Sequence, residues 1–115
     1  MKRLLVLILM LAPGISFAGG WTSWATPTQI DIERGNGVMI YGAFGNASQC
    51  TLADRIYVAS DHPEFEKIYS LALTAFTAGY QLRAYSHKCG AVTWYAAPTT
   101  EFNLITKDAA VNIRK

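Results

Sequence analysis

Residues 61–79 read Asp-His-Pro-Glu-Phe-Glu-Lys-Ile-Tyr-Ser-Leu-Ala-Leu-Thr-Ala-Phe-Thr-Ala-Gly, and this stretch carries the clear helical period of the chain. Phe65, Ile68, Tyr69, Ala72 and Phe76 recur at i, i+3, i+4 spacing and make a stripe that faces a core. Asp61 is placed as an N-cap, and Glu64 three residues later completes a capping-box-like pair. Pro63 falls in the first turn and Gly79 stands where a C′ glycine belongs. The pattern predicts a helix over 63–78. Its other face holds Glu66, Lys67, Ser70, Leu73, Thr74 and Thr77. That face is weakly polar rather than charged, which predicts that part of it meets something other than bulk water.

Outward from the helix, in both directions, the period changes to two. Gln29-Ile30-Asp31-Ile32-Glu33 alternates isoleucine with polar residues and reads as a half-buried strand. Arg34-Gly35-Asn36-Gly37 has turn chemistry, because glycine and asparagine tolerate positive φ. Residues 38–44 follow as a second strand, so the pair predicts a hairpin. A loop at 45–48 leads to a third, less regular strand over 50–59. After the helix, Tyr80, Leu82 and Ala84 alternate with Gln81, Arg83 and Tyr85 in a strand over 80–86. A turn is expected at 87–90, a strand at 91–96 and a break at Ala97-Pro98. Phe102, Leu104 and Ile105 form a short apolar segment, and 109–113 reads as a last strand. Five or six short strands with one helix after the third predict a mainly β chain, in the element order of a small barrel with an inserted helix.

The N-terminus carries a secretory pattern. Lys2 and Arg3 precede an apolar run over 4–12, Pro13-Gly14 ends it, and Ser16-Phe17-Ala18 places small residues before a cut ahead of Gly19. The run is too short for a membrane helix, which needs roughly 20 residues. Residues 1–18 are expected to be a signal peptide cleaved after Ala18, with 19–115 a single domain in the periplasm or outside the cell and no membrane span after cleavage. Removing 18 of 115 residues leaves 97, and removing two of the ten basic residues leaves eight against eight acidic ones. The charges are scattered singly, with no basic patch to neutralise phosphates, so nucleic acid is not an expected partner. Two cysteines in an exported chain predict one disulfide, Cys50–Cys89.

Catalytic constellations are weak. Ser60-Asp61-His62 holds three useful residue types, but adjacent residues cannot converge as a nucleophile, base and orienting group must. Glu64 and Glu66 diverge on a helix. His62 and His87 do not sit at metal-ligand spacing with both cysteines. Arg34-Gly35-Asn36-Gly37 leads into a strand rather than a helix N-terminus, so it is not a phosphate loop. No enzyme activity, metal or cofactor is expected. The marked feature is aromatic: Trp21, Trp24, Tyr41, Tyr57, Tyr85, Trp94 and Tyr95 offer flat apolar faces with polar edges, which suit sugar rings.

Residues 50–85 resemble the B subunits of subtilase cytotoxin and of pertussis-like and typhoid-type toxins. That family reads as a tyrosine-bearing helix with alanine in its middle, a glycine turn, then a strand ending in arginine-x-aromatic. Tyr69, Ala72, Phe76, Gly79, Leu82, Arg83 and Tyr85 match, and Cys50-Thr51-Leu52 sits where the family has a pre-helix cysteine. The resemblance implies an OB-fold barrel and a homopentameric ring whose helices line a pore, with Glu66, Leu73, Thr74 and Thr77 facing neighbours or that pore. It also implies a lectin that docks on cell-surface glycan, sialylated glycan included, beside a catalytic A subunit. The family's sugar pocket centres on a serine near the first strand. Carried onto this chain, the glycan site is expected at Ser23, Thr26 and Thr28, with aromatic help from Trp21, Trp24 or Tyr85. The family pairs its pre-helix cysteine with an earlier one, whereas here the partner is the later Cys89. The rival reading is a stand-alone periplasmic protein on the same fold that binds or inhibits another protein, and a small hydrolase is a third.

Overall fold

Alternating residues become strands in the order β1 (Gly20–Trp21), β2 (Gln29–Ile32), β3 (Gly37–Tyr41), β4 (Arg55–Ala59), α1 (Phe65–Ala78), β5 (Gln81–Ser86), β6 (Lys88–Gly90), β7 (Phe102–Leu104) and β8 (Val111–Arg114). This computed structural model describes residues 19–91 and 100–115. The expected signal peptide and the strand expected at 91–96, with Trp94 and Tyr95, lie outside the described residues except for Ala91.

The chain is mainly β with a single helix, and the strands form two sheets. One has the order β1-β5-β8 and is antiparallel. The other has the order β2-β3-β4-β7-β6, antiparallel except where β4 runs parallel to β7. Among the described residues these sheets do not close into a barrel. The core lies between them and α1. Val38, Ile40, Ile56 and Val58 face it from one sheet, Leu82 and Ala84 from the other, and Ile68, Ala72 and Ala75 from the helix, with Phe44 and Ile105 filling the ends. Residues 38–41 are apolar on both sides of β3 because the sheet has a second packed face, where Met39, Tyr57 and Phe102 are buried together.

Several sequence expectations are corrected. The third strand starts at Arg55, because residues 50–54 belong to a loop. The segment 87–90 is not a turn: β6 occupies it and pairs with β7, Cys89 opposite Asn103. The helix begins at Phe65, with Glu64 rather than Asp61 at the N-cap and no capping bond from the Glu64 side chain. Pro63 disfavours helical φ/ψ at His62, which delays the start. The imidazole of His62 does the capping instead. Its Nδ1 accepts the Glu64 N–H at 2.9 Å, and Nε2–H then donates to the Thr106 carbonyl at 2.8 Å. Phe76 is 46% exposed, so the inward stripe is Ile68, Ala72 and Ala75, with Phe65 and Tyr69 partly buried against the core as expected. Two alanines there let the helix approach the sheet closely. Gly79 ends the helix in the left-handed conformation, φ 76°, as expected.

The predicted disulfide Cys50–Cys89 is present, with Cα atoms 5.5 Å apart. It ties the 45–54 loop to β6, amid a cluster of satisfied polar groups. The Asn46 side chain bonds both the N–H and the carbonyl of Cys50. Asn103, fully buried, donates from Nδ2 to the Gly45 and Arg55 carbonyls at 3.1 and 3.2 Å. Ser48 donates to Ser86, which is also fully buried.

Replacing both cysteines by serine is expected to lower stability by about 3–4 kcal/mol, the chain-entropy value for a loop of about 40 residues. Urea unfolding followed by circular dichroism checks this. At Gly37, φ is 156° and an added Cβ would run into the Val58 carbonyl, with the Tyr57 hydroxyl 2.8 Å away. Gly37→Ala is therefore expected to cost about 1–3 kcal/mol in the same measurement.

Candidate functional site

The outer face of the β1-β5-β8 sheet presents a ladder of aromatic and guanidinium groups. Along β5, Leu82, Ala84 and Ser86 point into the core, which leaves Gln81, Arg83 and Tyr85 on the outside. Register brings Trp21 opposite Tyr85, Asn112 opposite Arg83 and Arg114 opposite Gln81. All of these side chains share one face, since paired residues point the same way.

Trp24 joins them through a bulge. In a regular strand, residues three apart face opposite sides. Here Trp21 pairs with Tyr85 while Ala25 bridges Leu82, so Ser23 and Trp24 together oppose the single residue Arg83. The bulge turns the Ser23 N–H away to the Phe44 carbonyl at 2.7 Å. Thr22 and Ala25 stay buried, and both indoles come out on the same side.

The resulting contacts are continuous. The Arg83 guanidinium lies 3.9 Å from the centre of the Trp21 ring and 4.7 Å from that of Trp24. Arg114 covers Trp24 at 4.1 Å. Trp21 meets Tyr85 edge-on at 5.3 Å, and Tyr85 meets His87 at 4.9 Å. Each arginine is oriented by an amide: Arg83 Nε donates to Asn112 Oδ1 at 3.0 Å, and Arg114 Nε to Gln81 Oε1 at 2.9 Å. Among the described residues neither guanidinium is paired with a carboxylate. The face therefore carries two positive charges on an aromatic platform, with the outer N–H groups of both forks left for a ligand.

Of the residues singled out in the sequence, Trp21, Trp24 and Tyr85 lie together in this ladder, and Ser23 is exposed at its bulge. Thr26 and Thr28 do not join it. Thr28 is carried to the other sheet, where its N–H donates to the Tyr41 carbonyl at 2.8 Å. Arg83, Arg114 and His87 were not picked out as ligand-binding. The available signal was an arginine on the polar side of a strand facing a Trp-x-x-Trp lead-in. No known protein family, curated protein or solved structure matches this chain.

On α1, Glu66, Leu73, Thr74 and Thr77 are all exposed, with Leu73 at 39%, and Phe76 lies beside them. Both ring nitrogens of His62 are engaged by backbone groups, so this imidazole is a structural fastener rather than a base for Ser60. Among the described residues no group of three or more His, Cys, Asp or Glu is placed to hold a metal ion, and no helix is long and apolar enough to cross a membrane.

Arg83→Ala removes two cation–π contacts of about 0.5–1 kcal/mol each and is expected to destabilise by about 1–2 kcal/mol. It should also change the tryptophan emission of the folded state. Unchanged emission would mean that the stack does not persist in solution.

Proposed function

We propose that this chain is an exported, non-catalytic glycan-binding subunit that docks on acidic cell-surface sugars through the outer face of the β1-β5-β8 sheet. The observation that carries the reading is Arg83, stacked on Trp21 and Trp24, oriented by Asn112 and without a carboxylate partner among the described residues. A carboxylate-bearing sugar matches such a surface. Its charge takes the outer guanidinium N–H groups as charge-assisted hydrogen bonds. The C–H side of its ring lies against the face of an indole or of the Tyr85 ring. In this reading the site sits on Trp21, Trp24, Arg83 and Tyr85, with the Ser23 hydroxyl beside them.

The same reading places the protein in a homopentameric ring with an OB-fold-like frame, secreted or periplasmic after cleavage at Ala18. Support comes from the likeness of residues 50–85 to toxin B subunits and from Leu73 and Phe76, apolar side chains exposed on α1. A ring also has a physical rationale. A single exposed site of this kind is weak, because each hydrogen bond nets about 1 kcal/mol. Linked copies raise the effective concentration and turn weak contacts into avidity. A catalytic A subunit would occupy such a ring as a separate chain.

A glycan array probed with the disulfide-bonded protein is the direct test, and binding to sialylated or other acidic glycans is expected. Arg83→Ala should weaken that binding about tenfold or more, the loss of a charge-assisted pair. Binding only to neutral glycans, or none at all, removes the lectin. Native mass measurement tests the ring, and Leu73→Glu should dissociate it while leaving a folded monomer. A wild type that is monomeric at high concentration removes the pentamer and favours a stand-alone protein-binding role.

A further inference from the structure

A second concave site lies away from the Trp21–Arg83 face and shares no residue with it. Where the chain leaves β7, residues 104–107 pass between the start of α1 and the near end of β6. Together these segments line a cleft of about 320 Å3. That volume is at the lower end of ligand pockets, which run from about 300 to 1,000 Å3. Pro63, Leu104 and Ile105 supply apolar wall, while Lys88, Lys107 and Asp61 bring charge to it. Among the described residues neither lysine pairs with a carboxylate.

Thr106 makes the site more than a surface dent. Its carbonyl is fixed twice, by His62 Nε2–H and by the Ala109 N–H at 3.0 Å, so this part of the wall is held in place. Its Oγ1 is buried without any hydrogen-bond partner. An unmade buried hydrogen bond is a standing cost that native proteins rarely keep. Thr106 is itself a lining residue of the cleft, so this unpartnered hydroxyl stands next to whatever the cleft holds.

We propose that this cleft binds a small hydroxylated carboxylic acid about the size of one sugar ring. Its carboxylate sits between Lys88 and Lys107, its hydroxyls bond Asp61 and the Thr106 Oγ1, and its C–H face rests on Leu104 and Ile105. Two ammonium groups fix one negative charge. Asp61 on the same rim accepts hydroxyl protons and repels a second charge, which favours a monocarboxylate over a phosphate dianion.

Nuclear magnetic resonance titration of the mature, disulfide-bonded protein tests this, with glucuronate as the probe and glucose and inorganic phosphate beside it. Saturable glucuronate shifts are expected at the Lys88, Thr106 and Lys107 amides, with phosphate binding more weakly and glucose not saturating the site. The double variant Lys88→Ala/Lys107→Ala should weaken glucuronate by about tenfold or more. Thr106→Val should weaken it while keeping the folded spectrum. In Arg83→Ala the shifts at Lys88, Thr106 and Lys107 should saturate as in the wild type even where shifts at the Trp21–Arg83 face are lost, which separates the two sites. Shifts confined to the Trp21–Arg83 face overturn the proposal. So does phosphate binding as tightly as glucuronate, or a double variant that binds as the wild type does.

Discussion

The Cys50–Cys89 bond is the constraint around which the rest of the molecule is arranged. It joins a loop with no regular structure of its own to β6, a three-residue strand at the sheet edge. Neither piece has enough apolar surface to hold itself. The crosslink brings polar groups into the interior beside it, and each of those finds a partner. Asn103 supports the backbone at Gly45 and Arg55 and Ser86 meets Ser48, while Asn46, itself exposed, clasps Cys50 from outside. A buried polar cluster is tolerable only when satisfied in this way. Once this end is fixed, β7 is held beside β4 and the chain after it is directed under α1, where His62 takes hold of Thr106.

The sheet that presents the aromatic ladder is supported differently. Its inner side is built from Leu82 and Ala84 against the small residues Ala72 and Ala75 of the helix. Its outer side gains rigidity from stacked side chains. Arg83 has little side-chain freedom left, because the two indoles and Asn112 already fix its plane. Preorganised guanidinium groups of this kind bind anions better than free ones. The energetic ingredients are individually small, about 0.5–1 kcal/mol for each stack, and the face is a product of their alignment rather than of any one contact.

What was legible in the sequence was local. Gly79 marked the helix end because only its own φ was at stake, and the alternation of Leu82 and Ala84 showed the inner face of β5 without reference to any partner. The cysteine pair was readable because the leader pattern at residues 1–18 predicts an oxidising compartment, where two thiols have few other fates. Contacts made at a distance were hidden. Lys88-Cys89-Gly90 has no strand signature, and pairing with β7 alone makes it β6. Asp61 looked like a cap by residue type, yet the bond to the helix start comes from His62, whose ring is held by a segment 44 residues later. Phe76 fitted the helical stripe but is exposed, whereas Phe65, Ile68, Tyr69 and Ala72 pack on the core as the period predicts. Arg83 was legible only as the polar side of a strand and a pattern match, and Arg114 not at all, because the ladder exists only once β1 and β8 lie on either side of β5.

The bulge at Ser23 and Trp24 has a genetic consequence. The two tryptophans, three residues apart, share a face because the bulge takes up the extra residue between them. A one-codon deletion of Ser23 would restore strict alternation and set the indoles two residues apart, so both would still face outward and Ala25 would still lie opposite Leu82. What the deletion would remove is the bond from the Ser23 N–H to the Phe44 carbonyl, which the bulge makes available. A gap here should therefore be tolerated by the ladder and felt in the tie to Phe44.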